Sequence, residues 1–165
     1  MADAEKPDHL EIMKTFAHQM INVVPWAKEL GFELTDVERG RVFGNLTWSE
    51  HLLGDPEAGV IHGGVVTSLL DNLCGAAVVS AMTEFQSTAT LDLRIDYMRS
   101  SEKGRDIIGE AECYHVTRTV AFARAWAYHD TRDKVIATAT GAFALNDPKR
   151  WSSGLSRAMS KEGKA

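Results

Sequence analysis

The feature that most constrains the fold is one long apolar segment at residues 62–83, HGGVVTSLLDNLCGAAVVSAMT. As a helix it would be about 33 Å long, which is enough to cross a membrane. Asp71, Asn72, several glycines and the lack of a basic flank argue against a membrane span. The segment therefore predicts a helix that is enclosed by the rest of the protein.

Strand patterns elsewhere in the chain indicate what encloses this helix. In residues 121–128 every odd position is alanine, and residues 137, 139 and 141 continue the pattern with Ala, Ala and Gly. A sheet face made of such small residues lets a helix lie close to it. Further strands are predicted at 32–38, 41–47, 90–97, 106–116 and 135–145.

The expected fold class is α+β: a single domain in which a curved antiparallel sheet wraps around one long central helix. The strand at 90–97 alternates regularly, which places Thr90 with the polar side chains and Leu91, Leu93, Ile95 and Tyr97 on the other face. Residues 1–26 are expected to form an extra N-terminal segment, with a helix at about 8–24 that stops before Pro25. Residues 27–150 form the domain, and residues 151–165 a polar tail.

Asp71 is the only acidic residue in the apolar segment. Burying a carboxylate without a partner costs several kcal/mol or forces it to take up a proton. At about 100° per residue, small side chains surround Asp71 on the helix; they are Gly64, Thr67, Ser68, Cys74, Gly75 and Val78. This face leaves room for a ligand or a second chain. The alternative is that Asp71 lies in the core with its hydrogen bonds satisfied by the protein.

The helix begins with His62-Gly63-Gly64, whose bare backbone amides would lie at the positive end of the helix dipole. Gly64 and Asp71 are two turns apart, about 10 Å along the axis. One substrate carbonyl could not easily contact both groups of a single chain. The spacing therefore predicts a site assembled across a symmetric dimer.

The stretch GVIHGG at 59–64, followed by Leu70-Asp71, resembles the signature of hotdog-fold acyl-CoA thioesterases of the phenylacetate-pathway (PaaI-like) type. The resemblance runs from about Pro25 through the final strand and includes Tyr97-Met98 at a strand end. It implies a thioester hydrolase with active sites at the interface of a homodimer, itself assembled into a homotetramer.

The resemblance also implies roles for individual residues. Asp71 would be the nucleophile or general base, and the Gly64 amide of the partner chain would polarise the acyl carbonyl. Thr90 matches a Ser or Thr that helps position water, although it is equally well an ordinary polar strand residue. Asp55 stands where the family often has an asparagine, and it is the rival catalytic acid. Because Gly54-Asp55-Pro56 also makes sense as a turn, Asp71 is preferred.

Several residues are candidates for substrate binding: His62, Gly63, Ser68, Asn72, Arg99 and Arg118. His62 either shapes the start of the helix or acts as an acid–base residue, and the first interpretation is favoured. Arg99 and Arg118 are candidates for the coenzyme A phosphates, with solvated surface charge as the alternative. The family commonly has Gly-Arg where this chain has Thr117-Arg118, so only the arginine matches.

Composition limits the partners and the setting. The net charge of −5 argues against nonspecific nucleic-acid binding. Cys74 and Cys113 have no metal-ligand spacing and are expected to be core thiols. No metal or cofactor is expected, and the scattered histidines form no metal-binding pattern. The N-terminus has no signal-peptide pattern, so the expected location is the cytoplasm, with no membrane partner.

Two other functions stay open on the sequence. A hotdog hydratase or dehydratase would pair a histidine with a carboxylate beside the thioester, and His62 with Asp71 resembles such a pair. A non-catalytic acyl-CoA-binding protein would bind the thioester without turnover. Product analysis distinguishes all three.

Overall fold

A computed structural model describes residues 9–20, 24–84 and 86–146, with the side chains of these ranges except 16–20. The chain begins with helices α1 (His9–Met20) and α2 (Pro25–Glu29), followed by strands β1 (Phe32–Glu38) and β2 (Arg41–Leu46). A 3-10 turn (Glu50–Leu52) and the short strands β3 (Leu53–Asp55) and β4 (Val60–Ile61) lead to helix α3 (Gly63–Ala81). The remaining elements are β5 (Thr88–Tyr97), β6 (Ile107–Val116), β7 (Val120–Tyr128), a 3-10 turn (Arg132–Lys134) and β8 (Val135–Leu145).

Six strands form one antiparallel sheet in the order β1-β2-β6-β7-β8-β5. Helix α3 contacts every strand of this sheet, and α1 packs on the edge strand β1. The predicted α+β class, with an antiparallel sheet around a central helix and an N-terminal helix, is confirmed. Between β2 and α3, residues 48–61 contain the 3-10 turn and the small β3–β4 hairpin. The predicted tail at 151–165 lies outside the described residues.

Helix α3 packs against the alanine-lined face of the sheet. Ala121, Ala123, Ala125 and Ala127 of β7 are each 0% exposed. On β8, residues 137, 139 and 141 are buried in the same way. Because a methyl group keeps the backbone of the sheet near the helix, the apolar side chains of α3 fill the space between them.

Two glycines of the sheet lie directly against a side chain of α3. Gly44 of β2 and Gly109 of β6 are directly paired across the sheet, and Leu73 lies over both. A Cβ atom at Gly44 would lie 2.8 Å from Leu73 Cδ2, and one at Gly109 would overlap Leu73 Cδ1. Since Leu73 is 0% exposed, it has no room to move aside.

A β-bulge interrupts β5 and changes which residues face the helix. Thr90 pairs with Phe143 and Asp92 with Ala142, so Leu91 is the extra residue between them. Leu91 is 61% exposed, whereas Leu93 and Ile95 pack against the core. The regular alternation predicted for this strand is therefore wrong at its start. The bulge turns Thr90 to the same face as Phe143, towards α3.

The buried side of α3 is wider than predicted. Cys74 and Val78 were expected on the open face beside Asp71, but both are 0% exposed. All six strands of the sheet contact the helix, so the buried side of α3 extends to Cys74 and Val78. Both cysteines are free thiols; Cys74 lies in the core, as predicted, whereas Cys113 is only partly buried against it. Burial raises the pKa of Cys74 to about 12. Helix α3 has the length and apolarity of a membrane span, but here it is the core helix of the sheet.

Candidate active site

Asp71 lies half-buried on α3 and has a partner on the sheet. Thr90 Oγ1 donates a hydrogen bond of 2.8 Å to Asp71 Oδ1. The β5 bulge makes this contact possible, because regular alternation would turn Thr90 away from the helix. The carboxylate is therefore hydrogen-bonded at one oxygen and partly open to solvent.

The Asp71–Thr90 pair borders a cavity of about 290 Å³. The other walls are mostly apolar and come from four elements; they include Leu34, Ala76, Val79 and Phe143. Asn72 and Gly75 line the same cavity beside Asp71. Such a site suits a ligand whose polar reacting group lies beside the carboxylate while its apolar part fills the cavity.

The first turn of α3 is closed by the side chain of His62. His62 is the N-cap residue, and its Nδ1 accepts a hydrogen bond of 3.0 Å from the Gly64 N–H. An imidazole nitrogen that accepts is unprotonated, so in the neutral ring the proton is on Nε2. His62 is therefore placed as a residue that shapes the helix start, and the Gly64 amide has an acceptor in the single chain.

The helix start and Asp71 line separate cavities. His62 and Gly64 border a space of about 470 Å³ whose walls include Trp26, His51 and Leu53. None of these five residues lines the cavity beside Asp71. This agrees with the two turns of helix between Gly64 and Asp71. Neither of these two cavities is lined by both Gly64 and Asp71.

Two predicted substrate-binding residues donate to the backbone of their own helix. Ser68 Oγ donates to the Gly64 carbonyl at 2.9 Å, and Asn72 Nδ2 donates to the Ser68 carbonyl at 2.8 Å. Such bonds satisfy polar side chains within a helix. Asn72 still lines the Asp71 cavity, whereas Ser68 does not.

Asp55 has a structural role in its loop. Its Oδ1 accepts from the backbone N–H groups of Glu57 and Ala58, at 3.1 and 3.0 Å. This is an Asx turn, as the Gly-Asp-Pro sequence predicted. Asp55 is exposed and is not among the residues that line the Asp71 cavity.

The two predicted phosphate-binding arginines lie at opposite ends of β5. Arg99 follows the end of β5 and donates to the Lys134 carbonyl. Arg118 is exposed in the turn between β6 and β7. The neighbouring Thr119 carbonyl accepts from Leu145, which in turn pairs with Thr88 at the start of β5. Neither arginine is brought into the Asp71 cavity.

The sequence places Tyr97 among the apolar side chains of its strand and within the family resemblance, but it does not predict any contact of its hydroxyl. Its hydroxyl donates to the Gly63 carbonyl at 2.5 Å and lies 2.7 Å from Thr67 Oγ1. Both partners belong to the first turns of α3, which are separated from Tyr97 by the whole of β5 and the preceding loop. No spacing rule on the sequence indicates such a contact.

The capping role of His62 gives a testable stability effect. We expect His62→Ala to lower the free energy of unfolding by about 1 kcal/mol, because the Gly64 N–H then loses its acceptor within the chain. His62→Ser is the matched control, since serine is a good N-cap residue. Urea unfolding of the three proteins measures the difference. Equal stability of the alanine and serine variants would contradict the capping role.

Comparisons with known proteins agree with this architecture. A Pseudomonas aeruginosa protein of known structure is 37% identical, with a TM-score of 0.73, and the match covers 80% of this chain and 98% of that one. The medium/long-chain acyl-CoA thioesterase YigI of Escherichia coli is 26% identical over 150 residues, or 82% of this chain and 94% of YigI. The Escherichia coli PaaI protein, at 19% identity and a TM-score of 0.72 over 86% of this chain and 97% of that one, has the same fold.

The class of protein that the fold and these similarities define is a hotdog-fold thioester hydrolase. Residues 58–136, which include α3 and the strands up to the start of β8, match the model of the thioesterase superfamily. The chain belongs to the thioesterase superfamily.

Proposed function

We propose that the protein hydrolyses an acyl-CoA thioester to a free acid and a thiol, at sites shared between two copies of the chain. The observation that carries the proposal is the Asp71–Thr90 pair at the border of an apolar cavity. The acyl group would enter this cavity, and its carbonyl would lie beside the carboxylate. The similarity to YigI, which is named for medium and long acyl chains, supports coenzyme A as the thiol.

The carboxylate can act in two ways. As a general base, Asp71 takes a proton from water while the water oxygen attacks the carbonyl carbon. As a nucleophile, Asp71 attacks the carbon itself, and the resulting anhydride is then hydrolysed. In both routes the carbon–sulfur bond breaks and the sulfur leaves as thiolate, which takes up a proton. Thr90 occupies Oδ1, and among the described residues no group donates to Oδ2, so Oδ2 is the oxygen proposed to react.

The negative charge that develops on the carbonyl oxygen needs a donor. The Gly64 N–H at the start of α3 suits this role, because preorganised amides at a helix start stabilise an oxyanion. His62 Nδ1 accepts from this N–H in the single chain, so the carbonyl oxygen would replace the exposed imidazole. Because Gly64 and Asp71 line separate cavities, the amide would come from the partner chain.

An open sheet edge supports the dimer. Strand β5 is ten residues long and lies at the edge of the sheet opposite β1. A long edge strand with unpaired backbone groups is a natural place for a second chain to pair. Pairing there would bring a partner molecule beside the strand that carries Thr90. Pairing of such dimers into a homotetramer stays a prediction, and native mass measurement tests both states.

The remaining parts of the proposal concern the coenzyme A moiety and the location. Arg118 lies near the Asp71 end of β5 and Arg99 near the Gly63 end, so either one could contact phosphates in a dimer. We propose Arg118 and Arg99 as phosphate contacts on this basis. A cytoplasmic location is proposed because coenzyme A thioesters and free thiols such as Cys74 and Cys113 both suit a reducing compartment.

The test of the reaction is product analysis with the wild-type protein. A panel of short, medium, long and aryl acyl-CoAs is incubated with the protein, and free thiol and acid are measured. Release of both in equal amounts supports hydrolysis, and the rates rank the acyl groups. An enoyl product without thiol would instead indicate a hydratase or dehydratase. Binding without any product would indicate a binding protein.

Thr90 provides a graded test of the Asp71 pair. We expect Thr90→Val to lower kcat by about ten- to a hundredfold, because a hydrogen bond to a charged group is lost. Thr90→Ser keeps the hydroxyl and is expected to retain most of the activity. Thiol release at saturating substrate measures both variants. A valine variant as active as the wild type would show that the bond has no catalytic role.

A further inference from the structure

The hydroxyl of Tyr97 connects the end of β5 to the start of α3. It donates a hydrogen bond of 2.5 Å to the Gly63 carbonyl and lies 2.7 Å from Thr67 Oγ1. A tyrosine hydroxyl has a single proton, and here the Gly63 carbonyl receives it. Thr67 must therefore donate to Tyr97. The three groups form a chain of hydrogen bonds that runs from Thr67 through Tyr97 to Gly63.

The carbonyl that receives this bond belongs to the peptide unit whose N–H is the proposed oxyanion donor. The Gly63 carbonyl and the Gly64 N–H are held in one plane by the partial double bond between them. A donor at the carbonyl oxygen polarises the peptide and strengthens its N–H as a donor, and successive hydrogen bonds reinforce one another. Tyr97 therefore fixes the direction of the Gly64 N–H and increases its strength.

The ring of Tyr97 lies against Gly63 and leaves little room for a side chain there. A Cβ atom at Gly63 would lie 3.1 Å from Tyr97 Oη and 3.3 Å from its Cζ. The ring thus occupies the space that a side chain would take. Tyr97 is nevertheless 51% exposed, so its ring contributes little to the core. The contact orients the helix start rather than filling the interior.

We propose that Tyr97 is a positioning residue for thioester hydrolysis, which holds and polarises the Gly63–Gly64 peptide that binds the oxyanion. The proposal rests on the proposed function. It gives β5 two roles, since Thr90 near its start bonds Asp71 and Tyr97 at its end bonds the Gly63 carbonyl. In a dimer with shared sites, each β5 would serve one site through Thr90 and the other through Tyr97.

The first experiment compares Tyr97→Phe with a matched control. Tyr114 on β6 is also 51% exposed, so Tyr114→Phe removes a hydroxyl from an equally exposed tyrosine. We expect Tyr97→Phe to lower kcat about tenfold with KM within about twofold, since the lost bond acts on the transition state. Tyr114→Phe should leave both unchanged. Thr67→Val, which removes the donor to Tyr97, should lower kcat by a smaller factor.

The second experiment measures the oxyanion contact directly. Asp71→Asn is used to hold an unreacted thioester, and the infrared stretch of its labelled carbonyl reports the strength of the hydrogen bond to it. Adding Tyr97→Phe should move this stretch towards that of the thioester free in water. A stretch that does not move, or an unchanged kcat in Tyr97→Phe, overturns the role of Tyr97. If the wild-type protein releases no thiol from any acyl-CoA, the proposed function fails instead; if Asp71→Asn hydrolyses at the wild-type rate, only the catalytic role of Asp71 fails.

Discussion

Asp71→Asn is expected to lower kcat for thioester hydrolysis by about two to four orders of magnitude, as loss of a catalytic acid–base group does. The substitution keeps the shape of the side chain and an oxygen that can accept from Thr90. It removes the charge that either a base or a nucleophile requires. The fold should therefore persist while the chemistry is lost, and thiol release with circular dichroism checks the two separately.

Asp55→Asn is the matched control for that result. An asparagine oxygen can accept from the Glu57 and Ala58 N–H groups as the aspartate does, so the turn should survive. We expect its activity to stay within about twofold of the wild type, since the change is on the surface and away from the cavity. A large loss in Asp55→Asn with full activity in Asp71→Asn would transfer the catalytic role to Asp55.

Mixed dimers test whether the sites are shared. Gly64→Pro removes the amide hydrogen, and proline is tolerated in the first turn of a helix. A mixed dimer pairs one Gly64→Pro chain with one Asp71→Asn chain. One of its two sites then has both the native Asp71 and the native Gly64 amide. Random pairing of two inactive variants should then restore about a quarter of the wild-type activity. No recovery in mixed dimers of confirmed composition would contradict a site built from Asp71 and the partner's Gly64.

Leu73→Ala is expected to lower the free energy of unfolding by about 2–5 kcal/mol, the range for deleting a buried leucine side chain. Leu73 is 0% exposed and lies directly over Gly44 and Gly109 of the sheet. Its loss leaves a cavity that the rigid strands below cannot close. Urea unfolding measures the change, with Val116→Ala, at an exposed position of β6 away from the β5 edge, as a control that should change stability little.

Combining Leu73→Ala with a substitution of Gly109, which lies below Leu73, tests whether the two residues compete for the same space. Gly109→Ala alone should cost about 1–3 kcal/mol, because its Cβ would overlap Leu73 in a packed core. In the double variant the new methyl group occupies part of the space that Leu73 vacates. The double variant should therefore lose less unfolding free energy than the two single variants lose together, by about 0.5–3 kcal/mol. Simple additivity would mean that the two residues do not share this space.

Much of the scaffold was predictable because its pattern is local. The apolar segment, the alanines at alternate positions of β7 and the small residues of β8 each follow from a period of side chains along one element. The structure confirms the helix and these strands with boundaries that differ by a few residues. The wider buried arc of α3 was not predictable, because it depends on how far the sheet curls around the helix.

The candidate site was predictable only in part. Asp71 is conspicuous in the sequence because no other acid interrupts the apolar segment. The sequence also favoured His62 as a residue that shapes the helix start. It could not predict the hydrogen bond from the Gly64 N–H to His62 or the bond from Tyr97 to Gly63, because neither the direction of a ring nor a contact across 34 positions has a sequence period. The Asx turn at Asp55 was accessible from local turn chemistry alone.

By itself the sequence determined the central helix, the small-residue face on which it rests and the position of the carboxylate. These depend on the order of apolar, small and polar side chains along single elements. The tertiary structure alone decided that Thr90 meets Asp71. Regular alternation would turn Thr90 away from α3, and the bulge at Leu91 reverses this. A bulge arises from the pairing of β5 with β8, two strands distant in the chain, so its cause lies in their packing rather than in either strand.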